Sequence, residues 1–165
     1  MELVKLENLE TVEEEIIYKI KEQPKTLVID SSVFIKWFSK DNEEDLDNAL
    51  SILNSLINNN IIIACPELAI YELANILYFK PNLDIKKTKT ALEKFLDLGI
   101  EFIRLYKKLI LIANEIRYDL GITFYGSSYI AVAKFFNLRF ITADKKLFKA
   151  CQKLYYVELL KNSKF

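Results

Sequence analysis

The chain has 165 residues, 52% of them hydrophobic, enough for one domain with a substantial buried core and no need of a second. Its formal charge is zero and its isoelectric point about 6.4, which excludes a whole-molecule attraction to nucleic acid or to an anionic membrane. Histidine is absent, which removes Ser/His/Asp triads, histidine zinc sites and imidazole acid–base chemistry, so any catalysis falls to carboxylates.

The amino-terminal stretch MELVKLENLETVEEE is acidic, and no apolar run approaches ~18 residues, which predicts a cytoplasmic protein with no signal peptide and no membrane span. Thr11-Val12-Glu13-Glu14 reads as a capping box ahead of the stripe Ile16, Ile17 and Ile20. Residues 1–24 are therefore expected to form a helical extension packed on the domain or on a partner, and residues 25–165 the single domain. Thr26 to Ile29 is a short β-branched and aliphatic run suited to a buried strand, and it ends at Asp30. Ser31 or Ser32 can cap the helix that follows, in which Val33, Phe34 and Trp37 recur at helical spacing. Asp30 then has two readings: a site acid at the carboxyl end of a strand, where open α/β sheets gather ligands, or an N-cap that holds the turn.

Farther along, Ser39 to Asp47 is polar and acidic, and Leu46, Leu50, Ile52, Leu53 and Leu56 set a helix that Asn58-Asn59-Asn60 breaks. Ile61 to Ala64 reads as a second strand. Pro66 suits the first turn of a helix over residues 66–78, whose apolar surface is Leu68, Tyr71, Leu73, Ile76 and Leu77. Glu72 lies among these, at the margin of the face or pointing into a cleft, where a carboxylate needs a partner or a metal. Asp84 to Leu98 predicts an amphipathic helix with Ile85, Leu92, Phe95 and Leu96 inward, stopped by Gly99, and Ile100 to Ile103 a short strand. A helix over 105–118 ends in a turn at Asp119-Leu120-Gly121, and Tyr125-Gly126-Ser127-Ser128 opens a helix over 129–136. Residues 138–142 form the next strand, Thr142-Ala143-Asp144 leads into a basic helical segment, and residues 155–160 form a last strand. Cys65 and Cys151, isolated and in apolar context, predict buried thiols.

This alternation implies a parallel sheet covered on both faces. Asp30 and Asp144 each end a strand and precede a helix, so the sheet brings both to one edge. Carboxylates held close raise a pKa or demand a cation, and hard divalent ions suit them; with Glu72 from a neighbouring helix, three acids can converge on one metal. Such a site serves in-line hydrolysis of a phosphodiester.

VIDSSVFIKWF, PELAIYELANIL and YDLGITFYGSSYIAVAKFFNLRFITADKKL, with the spacing among them, resemble the PIN domain, and within it the VapC-type toxin ribonucleases, over about Leu27 to Leu160. The resemblance implies a three-layer α/β/α sandwich with a short central parallel sheet and Mg²⁺- or Mn²⁺-dependent cleavage of RNA. Carried over by residue, it makes Asp30, Glu72 and Asp144 the catalytic and metal-binding acids, with Ser32 and Thr142 as hydroxyls beside the metal. Lys36, Lys145 and Lys146 become candidate contacts to RNA phosphate, against their ordinary role as surface lysines. It also implies a cognate antitoxin over the apolar face of the first helices, near Val33, Trp37 and the 46–56 helix, and a homodimer.

One position departs from the family pattern. The helix that in the family opens with a Tyr-Asp dipeptide opens here with Tyr125-Gly126, so one metal-binding acid is replaced by Gly126. Ser127 or Ser128 could hold a metal-bound water, and Asp119, Glu43 and Glu44 are the alternative acids. The chain is then either a working or attenuated nuclease, or an inactive module that keeps the cleft for binding RNA or protein.

Overall fold

Five short strands pair side by side in a computed structural model that describes residues 25–38 and 44–165. The expected helical extension over residues 1–24 and the candidate acid Glu43 lie outside the described residues. In chain order the elements are β1 (Thr26–Ile29), α1 (Ser31–Phe34, continued by one 3-10 turn, Ile35–Trp37), α2 (Leu46–Ile57), β2 (Ile62–Pro66), α3 (Leu68–Tyr78), α4 (Ile85–Leu96), β3 (Glu101–Ile103), α5 (Lys107–Leu120), α6 (Phe124–Phe136), β4 (Arg139–Thr142), α7 (Lys145–Cys151) and β5 (Val157–Leu159). The sheet order is β3-β2-β1-β4-β5 and every pairing is parallel, which with the flanking helices makes the expected three-layer α/β/α sandwich.

The strands read as continuous apolar runs because helices cover the sheet. Val28, Ile29, Ile63, Ala64, Phe140 and Ile141 are fully buried. Phe34 and Phe95 meet edge to face at 4.8 Å between centroids, joining the helix after β1 to α4. Val33 is buried, and the Trp37 indole N–H donates to the Ala49 carbonyl at 2.8 Å, so the apolar groove expected at Val33 and Trp37 is filled from within by α2. Cys65 and Cys151 are buried free thiols, as expected. Among the described residues no helix is long and apolar enough to cross a membrane.

Several boundaries differ from the expectation. Pro66 ends β2 instead of starting a helix: it stands opposite Ile103, and the next donor, the Glu67 N–H, bonds to the Ile103 carbonyl at 2.9 Å. In α4 Phe95 and, in part, Leu92 face inward as expected, joined by Ala91, while Ile85 and Leu96 face solvent. Helix α5 runs through Asp119 and Leu120, and Gly121 caps it with φ +64°, a conformation glycine adopts without strain. Helix α6 begins five residues before Tyr129, because the Thr123 hydroxyl accepts the Gly126 N–H at 3.2 Å and caps it there.

Candidate functional site

Asp30 follows β1 directly and is 4% exposed. It is itself the N-cap of α1, one of the two readings the sequence left open for it, and neither Ser31 nor Ser32 takes that role. Its Oδ1 accepts the Ser32 N–H at 3.1 Å and the Ser32 hydroxyl, and its Oδ2 accepts the Thr142 hydroxyl at 2.6 Å. The same hydroxyls accept backbone donors from the turn after β4: Ser32 Oγ from the Ala143 N–H at 2.9 Å, and Thr142 Oγ1 from the Asp144 N–H at 3.0 Å. This network is possible because β1 and β4 are parallel neighbours with Ile29 opposite Ile141, so both strands end at one level. Burial lifts the Asp30 pKa from 3.8 to about 6, against the lowering effect of the Ser32 and Thr142 hydrogen bonds and with a further push from the charges of Glu72 and Asp144.

Glu72, on α3, is partly buried and accepts the Tyr129 hydroxyl at 2.5 Å. Its pKa is raised by burial and held back by hydrogen bonds from Tyr129 and Ser31. Tyr129, 1% exposed, stacks on Phe140 with centroids 6.1 Å apart, which fixes its hydroxyl beneath Glu72. Asp144 caps α7, its Oδ1 accepting the N–H groups of Lys146 at 2.8 Å and Leu147 at 3.0 Å.

Asp30, Glu72 and Asp144 line one cavity of about 310 Å³, together with Ser31, Ser32, Gly126 and Tyr129. Among the described residues no lysine or arginine lines it. Gly126 thus stands at the wall where the sequence placed a lost acid. A Cβ built on it would meet Leu147 Cδ1 at 3.0 Å, the far end of a flexible side chain.

Other candidates stand apart from this cavity. The Ser127 and Ser128 hydroxyls are buried and donate to the Phe124 carbonyl at 2.9 and 2.8 Å, so neither is among the lining residues. Asp119 is exposed in the last turn of α5. Lys36 is buried, its ammonium donating to the Glu44 carbonyl at 2.7 Å, and Lys145 forms an exposed ion pair with the Glu44 carboxylate. Lys146 is exposed beside Asp144. The sequence reading gave Tyr129 no part in the site and saw in Ser31 only a possible cap. Their contacts to Glu72 join segments remote in sequence, and the only available signal was an acid inside an apolar helix that needed a partner.

The donor set consists of carboxylate and hydroxyl oxygens, the chemistry of a hard divalent cation. Among the described residues no three acids, histidines or cysteines are close enough to hold an ion together. That arrangement still fits Mg²⁺, which is bound through one or two carboxylates and keeps several waters.

A comparison with solved structures gives the same fold. The chain is similar to PAE2754 from Pyrobaculum aerophilum, with a TM-score of 0.58 and 19% identity over 83% of this chain and 91% of that one. It is also similar to VapBC-5, a member of the VapBC family of toxin–antitoxin systems from Mycobacterium tuberculosis, with a TM-score of 0.54 and 21% identity over 82% and 98%. VapC20 from the same organism, described as a sarcin-ricin loop cleaving toxin, aligns with a TM-score of 0.56 and 14% identity over 75% and 94%. A search of curated proteins finds no match. The model of the PIN domain matches residues 27–153, most of the chain and all three cavity acids, and the protein belongs to the PIN domain family.

Proposed function

We propose that the protein is a metal-dependent endoribonuclease of the VapC type, the toxin of a toxin–antitoxin pair, in which Asp30, Glu72 and Asp144 hold Mg²⁺ or Mn²⁺ directly or through its bound waters. The observation that carries this reading is the shared cavity, which among the described residues is lined by three carboxylates and by no lysine or arginine, and in which the pKa values of Asp30 and Glu72 are raised. A divalent cation bound there supplies an activated water and neutralises charge on the scissile phosphate. The chain's own groups aim the ligands: Ser32 and Thr142 fix both oxygens of Asp30, Tyr129 and Ser31 fix Glu72, and the first turn of α7 fixes Asp144. Lys146, exposed two residues after Asp144, is assigned to RNA phosphate, while Lys36 and Lys145 reach RNA only by leaving Glu44.

The relation to toxin–antitoxin proteins supports a cognate antitoxin, and a homodimer and a cytoplasmic setting belong to the same proposal. Because α2 fills the space at Val33 and Trp37, an antitoxin over the first helices meets Leu50 and Ile57 instead, which are 37% and 59% exposed. A second reading, an inactive PIN-like module that binds RNA or protein, is favoured by Gly126 in place of the family acid and by the lack of a tight three-carboxylate cluster. A fluorescent RNA cleavage assay in Mn²⁺ decides between them. Cleavage that is lost in Asp30→Asn and Asp144→Asn supports the nuclease, and no cleavage by the wild type supports the module.

A further inference from the structure

The carboxylate cavity adjoins a second groove, of about 550 Å³, through two shared residues, Glu72 and Tyr125. Its remaining lining is Leu68, Tyr71, Asn75 and Ile76. Two aromatic residues from different elements are exposed here: Tyr71 of α3 at 67% and Tyr125, in the first turn of α6, at 60%. Exposed aromatic residues that share a groove with Leu68 and Ile76 form the sort of apolar surface that marks a binding site. Among the described residues the groove has no basic side chain and one charged one, the acid Glu72, so it disfavours phosphate and suits uncharged, flat groups. Nucleobases have that character: their faces stack on tyrosine, and their edges can pair with an amide such as that of Asn75.

We propose that Tyr71 and Tyr125 form a base-stacking subsite in this groove, holding nucleobases of the RNA strand beside the scissile phosphate. The proposal rests on the endoribonuclease reading and names the residues that position its substrate. In a duplex the base faces are covered by their neighbours, and neither tyrosine can reach one. The phosphates then follow the carboxylate cavity and the bases follow the groove, with Glu72 and Tyr125 at the junction.

The test is binding of a short fluorescein-labelled single-stranded RNA, followed by anisotropy in EDTA, to the full-length chain carrying Asp30→Asn so that cleavage does not intervene. Tyr71→Ala and Tyr125→Ala should each weaken binding about tenfold, and Tyr125→Phe, which keeps the ring, should restore it. The same strand annealed to its complement, or replaced by an abasic strand of equal length and charge, should bind about tenfold more weakly and without regard to either tyrosine. Both tyrosines are exposed, so these variants should fold, which circular dichroism checks. Equal affinity of both alanine variants, or of intact and abasic strands, overturns the proposal and leaves the groove to a protein partner. The two readings fail separately. Tyrosine-dependent binding by a wild type that cleaves nothing in Mn²⁺ sinks the nuclease and keeps the groove, and Asp30-dependent cleavage with binding indifferent to both tyrosines does the reverse.

Discussion

The Thr142 hydroxyl donates to Asp30 at 2.6 Å across 112 residues of sequence, while its own oxygen accepts the Asp144 N–H at 3.0 Å. One small side chain at the end of β4 therefore holds the carboxylate at the end of β1 and sets the turn that carries the next acid. Thr142→Val keeps the shape and removes both bonds, leaving a buried carboxylate short of a donor. We expect a loss of about 1–3 kcal/mol at pH 7. Urea unfolding measures it, and Thr142→Ser should recover most of the loss.

Asp30 gives the metal-free protein a specific pH dependence. Its pKa is raised on folding, from 3.8 to about 6, so its contribution to stability is fully present below pH 3.8 and is lost as pH rises through 6. Above pH 6 the penalty reaches at most about 3 kcal/mol. Asp30→Asn removes the charge and should raise the unfolding midpoint in EDTA at pH 7, with no gain at pH 3.5. Equal gains at both pH values would show that the carboxylate is not strained by burial.

Tyr129→Phe should separate aiming from packing. The ring stays stacked on Phe140, but the hydroxyl that donates to Glu72 at 2.5 Å is gone. That bond lowers the Glu72 pKa, so its loss raises a pKa that burial has already raised. We expect about 1–2 kcal/mol of lost stability and an upward shift of the acid limb in the pH profile of RNA cleavage. An unshifted limb would mean that Glu72 does not titrate in the reaction.

How much of this was legible in the sequence depended on whether the deciding contact was local. The pairing of Asp30 with Asp144 could be read because each acid follows a strand run and precedes a helix, and a parallel sheet does the rest. Glu72 could be suspected from its apolar neighbours alone. Its partners could not, since Tyr129 lies 57 residues away. Pro66 was misplaced because its preference for a helix's first turn competed with strand pairing that runs to the ladder's last position. The inward face of α4 was right at Leu92 and Phe95 and wrong at Ile85 and Leu96, which are more apolar than Ala91 but lie off the phase that Ala91 and Phe95 share toward the core. Lys36 gave no sign of burial, because the carbonyl that holds it belongs to Glu44, eight residues on and inside a polar stretch.

The central claim is that the cavity binds a divalent cation through Asp30, Glu72 and Asp144, weakened by Gly126. Gly126 lacks a left-handed φ, and Leu147 needs to give by only a few tenths of an ångström, so Gly126→Asp can be made without backbone strain. The measurement is a calorimetric titration of Mn²⁺ into the full-length wild type, Asp30→Asn and Gly126→Asp. The account predicts weak binding by the wild type, none by Asp30→Asn, and affinity at least about tenfold tighter in Gly126→Asp, because hard-cation sites are tuned by the number and charge of their oxygen ligands. Binding that survives Asp30→Asn unchanged, or no binding by any of the three, would contradict it.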